Sequence, residues 1–530
     1  MPKHIYEFHT SSCDVAPKEE VGAKAHHLMH MKCLGLPVPE GFVIPTRHTF
    51  SEPHKFGPQS DLMFRVFGAI RLMADHVDKD WSSESDNPYL VSVRSGSAVS
   101  MPGMMDTVLN LGLNDYNVEK LAERTNPIFA WDCYRRLISS LGSSLGMKIT
   151  SEVTDAAAEL YGALDEEALR RVVKVLKEQF AEQLFEFPQA VDEQLRVAVK
   201  AVFESWNSKK AIEFRKIEKI PDTIGTGCIV QGMRFGNLNE QSCTGVVFSR
   251  NPNTGHNKPY GEFVVQAQGE DIVSGTTNAR PLSEFTSAGF KSQAQALATY
   301  LDELEDHMKF MVDVEFTVED GKLWLLQARK GSGTPEAEFN VALDFWVGGG
   351  MSREEITSWY LSKLGIVQES PPEAPQSGAA DGEPQTPQDD PWMALGVGKG
   401  AVKGIVEAPI WISGVGEPPD GPYIMVAEET QPDDVPYMSK AKGIVTANGA
   451  LLCHAAVVAR SWGVPCVVGL EAMTFDKISV TSAGPAMVTV GDLKLDTAMI
   501  VTVGDLKLNN GAVIRMNGQT GEVWAATTTS

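Results

Sequence analysis

A proline-rich segment constrains the fold of this chain more than any other feature. Between Glu369 and Pro391 it places six prolines among Gln, Ser, Gly, Ala and Asp residues. Such a composition buries too little apolar surface to offset the entropy lost on folding, so we expect an extended, mobile linker. A chain of 530 residues is also too long for one core, and two to four domains are expected. The predicted division is residues 1–365, a linker over 366–393, and 394–530.

The N-terminal part mixes helical and strand patterns. Tyr89–Val93 is a short apolar stretch typical of a strand, and apolar residues at three- and four-residue spacing predict a helical insertion over about 114–206. From Gly227 to Gln327 the pattern favours strands, including a hairpin around an Asp320-Gly321 turn. These features predict an α+β fold for residues 1–365.

The C-terminal part alternates short strands with a helix, which predicts a compact α/β domain. Strand-like segments are Ile410–Ile412, Tyr423–Val426 and Gly443–Val445. Near the end, the eight residues 488–495 recur without change at 501–508. The simplest interpretation of this local duplication is an extra hairpin.

His454 has a setting that the other ten histidines lack. A turn at Gly449 precedes it, and two alanines follow it within a predicted helix, Ala455–Trp462. The N-terminus of a helix offers unpaired N–H groups and a partial positive charge, which would stabilise a phosphoryl group on the imidazole. The alternative is a histidine that only caps a buried helix.

Two basic residues of the N-terminal part have the chemistry of a phosphate site. Lys24 follows a Gly22-Ala23 turn, and Arg94 ends a strand and enters a Ser- and Gly-rich loop that reaches Thr107. Such a loop can present backbone N–H groups to phosphate oxygens, and a guanidinium can bind them with two hydrogen bonds. A plain surface turn is the alternative.

Two carboxylates and two partners are expected on one face of the predicted hairpin. Asp313 and Glu315 alternate on one strand, and Gln327 and Arg329 alternate on the next. A Mg²⁺ ion that carries a di- or triphosphate would satisfy the carboxylates, because magnesium prefers a few carboxylates together with phosphate oxygens. The alternative is an exposed face with cross-strand ion pairs.

Composition excludes several classes of function. The net charge is −23, which disfavours a nucleic-acid partner. The seven scattered cysteines form no CxxC pair and suggest a reducing compartment. The first residues have no apolar signal core, and no run of 18 apolar residues occurs, so we expect a cytoplasmic chain without a membrane span.

Together these motifs resemble the pyruvate, phosphate dikinase family. The resemblance runs, with gaps, from about residue 5 to residue 525. It implies an ATP-grasp-like nucleotide-binding region followed by a small swivelling phosphohistidine domain. The matching segments are Val91–Gly112, Gly245–Gly255, Gln268–Asp271, Asp313–Thr317, Asn448–Arg460 and Gly511–Gly521.

The resemblance also implies a reaction. In this family ATP gives its β,γ-diphosphate to histidine, inorganic phosphate takes the γ unit, and the β-phosphoryl group stays on histidine. The resemblance implies that His454 carries the phosphoryl group and that Arg94 and Arg329 are also catalytic. The ATP phosphates would be contacted by Lys24 and Arg94, and the terminal phosphates would be covered by Gly103, Met104, Asp106 and Thr107.

The remaining implied roles concern the nucleotide and the metal. Glu270 and Asp271 would lie along the nucleotide, and Arg329 would bind the phosphate end. Mg²⁺ and nucleotide would be held by Asp313, Glu315 and Gln327.

Departures from the family pattern are informative. Gly-Gly-Lys-Gly of the family is Gly22-Ala23-Lys24-Ala25 here, which stiffens the loop. Leu452 replaces a regulatory threonine, so the resemblance excludes regulation by phosphorylation at that position. The family's C-terminal barrel, which binds pyruvate and phosphoenolpyruvate, needs about 250 residues, and we expect it to be absent from this chain.

Three hypotheses remain open at this point. The first is an active phosphotransferase that phosphorylates the neutral imidazole of His454 and passes the phosphoryl group to an acceptor, for example on a separate subunit. Phosphorylation of His454 should then weaken below about pH 6.5, where the imidazole is protonated. The second is a nucleotide-binding regulator or inhibitory partner of a complete dikinase. The third is a piece of a longer enzyme.

Overall fold

The computed structural model describes most of the chain. Residues 366–391 of the predicted linker lie outside the described residues. The same holds for Gly103, Met104, Asp106 and Leu452. The described residues are 3–8, 15–99, 101, 105, 107–162, 165–274, 279–350, 352, 354, 357, 392–430, 434–449, 451, 453–470, 472–478, 498–503, 506–508 and 510–526.

The first sheet has five antiparallel strands in the order β1-β2-β5-β3-β4. Its central strands are almost wholly buried because helices cover them. The predicted strand at Tyr89–Val93 begins two residues later than expected. The strands are β1 (Tyr6–Glu7), β2 (Gly41–Ile44), β3 (Val91–Gly96), β4 (Thr107–Leu111) and β5 (Gly227–Gly232).

Helix α1 (Lys18–Cys33) packs on this sheet and is interrupted at Gly22. The glycine has φ 82° and ψ 158°, a conformation that a side chain would strain. A Cβ there would also overlap the carbonyl of Gly96. The Ala23 N–H donates to the Ser97 carbonyl at 2.9 Å. Lys24, which the sequence placed in a turn, therefore lies in a helix just beyond a kink, held against the end of β3.

Helices fill the segment between β4 and β5, and their apolar spacing explains their packing. In α6, Leu169, Val172, Leu176 and Phe180 recur on one face and are buried in the core under the first sheet. Side-chain caps start several of these helices, as Asp165 does for α6. The helices of this segment are α3 (Asn117–Arg124), α4 (Pro127–Ser144), α5 (Ser151–Gly162), α6 (Glu166–Gln183), α7 (Val191–Ser205) and α8 (Lys209–Ile217). Earlier in the chain, 3₁₀ turns at Thr46–Phe50 and Pro53–Phe56 and helix α2 (Asp61–His76) lie between β2 and β3.

The second sheet is also antiparallel, in the order β10-β9-β6-β7-β8. Asp320 (φ 47°) and Gly321 (φ 76°) form the two-residue turn between β9 and β10, so the predicted hairpin is confirmed. The elements are β6 (Cys243–Phe248), β7 (Tyr260–Val265), α9 (Gly269–Ser274), β8 (Arg280–Pro281), a 3₁₀ turn (Leu282–Glu284), α10 (Lys291–Met308), β9 (Val312–Glu319), β10 (Lys322–Lys330) and α11 (Pro335–Val347).

A mixed third sheet of eight strands is formed after residue 391, in the order β11-β21-β20-β13-β14-β15-β16-β12. The pairs from β13 to β16 are parallel, and the remaining pairs are antiparallel. Helix α13 connects β15 to β16, as in other crossovers between parallel strands. The elements are β11 (Trp392–Val397), β12 (Lys399–Val402), β13 (Ile405–Ile412), β14 (Ile424–Ala427), α12 (Val435–Met438), β15 (Gly443–Thr446), α13 (His454–Trp462), β16 (Cys466–Val468), β20 (Val513–Asn517) and β21 (Glu522–Ala526).

One sequence-based boundary changes in this part. Trp392 and Met393, assigned above to the linker, belong to β11 because they pair with Ala526 and Ala525. The described residues of the second copy of the repeat, 501–503 and 506–508, lie in a small antiparallel sheet of β17 (Met473–Ile478), β18 (Ala498–Val503) and β19 (Leu506–Leu508). Residues 488–495, the first copy, lie outside the described residues. Among the described residues, no helix is both long and apolar enough to cross a membrane.

Candidate functional site

A cavity of about 480 Å³ is lined by residues of the first sheet, the second sheet and α13. Its volume is in the usual range for a small-molecule site. The cavity brings together eight of the residues that the sequence singled out. They are Lys24, Arg94, Thr107, Glu270, Glu315, Gln327, Arg329 and His454.

Arg94 links the first sheet to the second inside this cavity. Its Nη2 donates to Glu315 Oε2 at 3.0 Å and to Gln327 Oε1 at 3.2 Å. Gln327 Nε2 in turn donates to Glu315 Oε1 at 3.0 Å. Burial by itself raises the pKa of Glu315, but the guanidiniums of Arg94 and Arg329 outweigh it and lower the pKa. The carboxylate therefore stays ionised between two cations.

Asp313 and Arg329 form the second cross-strand pair of the hairpin. They lie opposite one another in β9 and β10, and Arg329 Nε donates to Asp313 Oδ2 at 2.8 Å. The other oxygen, Oδ1, is buried without a hydrogen-bond partner. Burial raises the pKa of Asp313, and the pKa of Arg329 is raised chiefly by the Asp313 charge. A cross-strand ion pair, as in the alternative interpretation of this hairpin, is therefore present, but on a buried face.

The two carboxylates of β9, Asp313 and Glu315, fit a magnesium ion that is also held by phosphate. The unpartnered Asp313 Oδ1 is the type of oxygen that a hard cation binds, and Glu315 is two residues away on the same strand. Among the described residues, no group of three or more His, Cys, Asp or Glu side chains is arranged to hold a metal by itself. Ligand oxygens must therefore complete such a site.

Lys24 adds a positive charge at the cavity wall. Burial, followed by the nearby Arg94, lowers the pKa of Lys24 to about 8. The ammonium is therefore still mostly protonated at pH 7. Lys24, Arg94 and Arg329 provide three cations beside the two carboxylates of the hairpin, which leaves an excess of positive charge for a polyphosphate.

Another part of the cavity wall is apolar. There the buried Nε2 of Gln231 has no hydrogen-bond partner, so it is a donor available to an acceptor on a ligand. A wall of this kind suits a flat base with polar edges. The apolar side chains come from loops and strands of both sheets: Met101, Met105, Leu109, Met233, Val246 and Leu326.

His454 begins α13 and reaches the same cavity. Its Nδ1 lies 3.0 Å from the Thr430 hydroxyl, and its Nε2 is buried without a partner. If Nδ1–H donates to Thr430, Nε2 holds the lone pair and can act as a nucleophile. Burial lowers the pKa of His454 to about 4, so the imidazole is neutral at pH 7.

The loop before His454 is attached to the second sheet by Glu262 of β7. The buried Glu262 carboxylate accepts from the Leu451 N–H at 3.0 Å and from Lys399 Nζ at 3.1 Å. From the other side, Arg460 Nη2 donates to the Leu451 carbonyl at 3.0 Å. These contacts hold the segment before the histidine against the cavity.

A second contact area is apolar, and it is accompanied by a hydrogen bond and an ion pair. Trp206 and Phe214 share a buried cluster with Met438 and Ala456 of the third-sheet region. Trp462 Nε1 donates to Glu218 Oε1 at 2.7 Å, and Lys403 pairs with Glu336 at 2.7 Å. The apolar contact leaves His454 within the cavity, so the ring is not held away from Arg94 and Arg329.

The remaining candidate residues differ from expectation. Glu270 lines the cavity, but Asp271 does not. Arg136 of α4 binds both carboxylates, with its Nη1 2.8 Å from Asp271 Oδ1. Asp271 Oδ2 also accepts from the Gln268 N–H at 2.9 Å, so Asp271 supports the turn beside the cavity. Gly103, Met104 and Asp106 lie outside the described residues.

Sequence reasoning missed Thr430, Glu262 and Arg136. Each meets its partner across many residues of chain: 24 for Thr430 and His454, 189 for Glu262 and Leu451, and 134 for Arg136 and Glu270. No periodic pattern marks them, since helix and strand periods relate only near neighbours.

Comparisons with known families agree with this geometry. A family model described as pyruvate phosphate dikinase, AMP/ATP-binding domain, matches residues 58–286 and 278–344, more than half of the chain. A second, described as PEP-utilising enzyme, mobile domain, matches residues 419–521. The first match contains Arg94 and the β9–β10 hairpin, and the second contains His454.

Curated relatives include three proteins named pyruvate, phosphate dikinase. The Clostridium symbiosum protein is 36% identical over 504 residues, which cover 90% of this chain and 55% of that protein. The chloroplastic protein of Mesembryanthemum crystallinum is 35% identical over 528 residues, which cover 96% of this chain and 51% of that protein. The Rickettsia typhi protein is 35% identical over 536 residues, which cover 93% of this chain and 57% of that protein. The chain spans about half the length of these relatives. It belongs to the pyruvate phosphate dikinase family.

Proposed function

We propose that this chain binds Mg-ATP in the cavity and transfers the β-phosphoryl group of ATP to His454, with inorganic phosphate as co-substrate. The observation that carries the proposal is that His454 lines the same cavity as Lys24, Arg94, Glu315 and Arg329. A nucleophile and a set of phosphate-binding cations thus face one space.

An ATP-grasp-like architecture is part of this proposal. Two antiparallel sheets enclose the cavity, and each contributes charged side chains to it: Arg94 from the first sheet, and Glu315 and Arg329 from the second. The proposed division assigns nucleotide binding to residues 1–365 and the phosphohistidine to 394–530. The composition of residues 366–393 supports a tether that lets His454 leave the cavity.

The proposed chemistry begins with the Nε2 lone pair of His454. Nε2 attacks the β-phosphorus of ATP, the bond from that phosphorus to the α-phosphate oxygen breaks, and AMP leaves. An oxygen of inorganic phosphate then attacks the γ-phosphorus, the bond from that phosphorus to the β-phosphate oxygen breaks, and diphosphate leaves. The phosphoryl group remains on Nε2, while Nδ1–H stays hydrogen-bonded to Thr430.

The protein's part in these steps is to position charge. Arg94 and Arg329 are aimed by Glu315 and Asp313, so they meet the phosphate oxygens with little rearrangement. Asp313, Glu315 and Gln327 would hold Mg²⁺, which when bound neutralises phosphate charge. Glu262 holds the histidine loop in place during the transfer.

Labelling with ATP that carries ³²P at the β position tests the proposal. We expect acid-labile label on the wild-type chain, AMP release, and neither in His454→Asn, while nucleotide binding by that variant persists. His256 is exposed and lies outside the cavity, so His256→Asn is a matched control that should label normally.

Two outcomes would contradict the proposal. Stable labelling of His454→Asn would move the phosphoryl group to another residue. Nucleotide binding by the wild-type chain without AMP or label would instead support the nucleotide-binding regulator described above.

A further inference from the structure

Three histidines form a hydrogen-bonded row on the outside of the N-terminal part. His26 and His30 are four residues apart on α1, so their rings lie on one face of the helix. His307 approaches from the last turn of α10. His26 Nε2 and His30 Nε2 are 3.2 Å apart, and His30 Nδ1 and His307 Nε2 are 3.0 Å apart.

The protonated nitrogen of His26 follows from its other contact. His26 Nδ1 lies 2.8 Å from the Ala16 carbonyl oxygen, which can only accept a hydrogen bond. Nδ1 therefore carries the hydrogen, and in the neutral ring Nε2 holds a lone pair that points to His30. The helix thus presents one histidine as a ready nitrogen ligand, with its ring orientation set by a backbone carbonyl.

We propose that His26 Nε2 and His30 Nε2 form a chelating site for a divalent transition metal of the zinc, nickel or copper class. Two histidines at this spacing on a helix can bind one ion. For nitrogens about 2.0–2.1 Å from a tetrahedral zinc, the expected separation is about 3.3–3.4 Å. The observed 3.2 Å is within about 0.2 Å of that value without any movement of the backbone.

His307 supplies the hydrogen-bond partner for His30 Nδ1, the ring nitrogen of the second ligand that does not bind the metal. In the metal-free row, His307 Nε2–H donates to His30 Nδ1, and His30 Nε2–H donates to His26. On metal binding, the hydrogen of His30 moves from Nε2 to Nδ1, and Nδ1–H then donates to His307 Nε2. The hydrogen of His307 moves from its Nε2 to its Nδ1, so that Nε2 can accept this bond. No net proton is lost, and both metal ligands then donate to an oxygen or nitrogen acceptor, as metal-bound histidines usually do.

The chemistry of this site separates it from the nucleotide cavity. Neutral imidazoles select zinc, nickel or copper, whereas magnesium prefers oxygen ligands. Burial and the neighbouring His26 and His307 lower the pKa of His30 to about 4, so His30 is neutral at pH 7. The two protein donors leave open positions for water, which implies weaker binding than at a three- or four-ligand site.

The site has a structural consequence because α1 also carries Lys24. His26 and His30 lie two and six residues after Lys24, the lysine that lines the cavity. A metal bound by the two histidines would strengthen the contact from α1 to His307 of α10. Metal binding would therefore stiffen one wall of the cavity without entering it.

Zinc titration of the nucleotide-free, full-length chain at pH 7.5 tests the proposal. We expect wild type to bind one more zinc ion than His30→Ala, measured by calorimetry and by metal content after dialysis. In His307→Ala, which alters an exposed residue, zinc affinity at this site should fall about 10-fold or more. His256→Ala, which removes an exposed histidine elsewhere, should match wild type.

A structural measurement makes the test independent of variant folding. Zinc-edge anomalous diffraction from wild-type crystals soaked in zinc should place an ion about 2.1 Å from both Nε2 atoms. Equal zinc stoichiometry and affinity in wild type and a folded His30→Ala would overturn the proposal. So would anomalous density found only at other positions. Neither result bears on phosphorylation of His454.

Discussion

Replacing Glu262 with glutamine should separate docking of the histidine loop from nucleotide binding. Glu262 is buried in β7, and its carboxylate binds two groups of the C-terminal part, the Leu451 N–H and Lys399 Nζ. Glutamine has nearly the same shape but no charge, and its NH₂ group must face one of these two donors. The change therefore weakens the contact with little loss of packing.

The magnitude follows from the two contacts. A hydrogen bond to a charged group contributes about 1.5–3 kcal/mol. The lysine contribution is smaller, because the Lys399 side chain is 40% exposed and solvent screens it. A total loss of about 2 kcal/mol corresponds to a roughly 30-fold weaker docking equilibrium. The rate of His454 phosphorylation should fall by up to that factor, depending on how far the undocked form is populated.

Rapid-quench labelling with β-³²P-ATP measures the phosphorylation rate in a single turnover, and equilibrium dialysis measures ATP affinity. ATP affinity should stay near that of wild type, because Glu262 does not line the cavity. Glu336→Gln is the matched control, since it removes an exposed ion pair with Lys403 across the same pair of domains. This control should phosphorylate His454 at nearly the wild-type rate.

Two results would refute this interpretation of Glu262. Equal slowing by Glu262→Gln and Glu336→Gln would show that general charge, and not the buried contact, governs docking. A loss of ATP affinity in Glu262→Gln that accounts for the slower labelling would assign the residue to the nucleotide cavity.

Further predictions concern the histidine, its hydrogen-bond partner Thr430, and Asp313, the carboxylate proposed to bind the metal. Burial in the docked form lowers the pKa of His454 from 6.5 to about 4. At pH values between these two limits, an undocked or unfolded chain therefore binds a proton on His454 that the docked form does not bind. Docking and stability should therefore weaken as pH falls through this window, by roughly 30-fold from pH 7.5 to 5 for docking; a flat single-turnover labelling profile would contradict this. Thr430→Val should slow labelling about 5-fold, equivalent to about 1 kcal/mol, while Thr430→Ser stays near wild type; equal rates would remove Thr430 from the orientation of the ring. Asp313→Asn should raise the half-saturating Mg²⁺ concentration for labelling at least tenfold, with little change in the thermal midpoint of the nucleotide-free chain because Asn still accepts from Arg329; an unchanged Mg²⁺ requirement would show that Asp313 is not a ligand.

The sequence determined those features that depend on near neighbours. Alternation along a strand places Asp313 and Glu315 on one face, and the Asp-Gly turn brings the next strand alongside. A register shift between Leu325 and Gln327, which neither pattern predicts, then sets Gln327 and Arg329 opposite the two carboxylates. The small residues after His454 favour a helix that begins at the histidine. Turn geometry and side-chain period act over a few residues, so they can be read without the rest of the fold.

Only the tertiary structure decided which of these features share one space. Gly22 lets α1 approach the end of β3, Glu262 holds the loop before His454, and Thr430 contacts the imidazole. These contacts join segments separated by 24 to 189 residues. They depend on how three sheets pack against each other, and sheet packing is a property of the complete set of buried side chains that no local pattern contains.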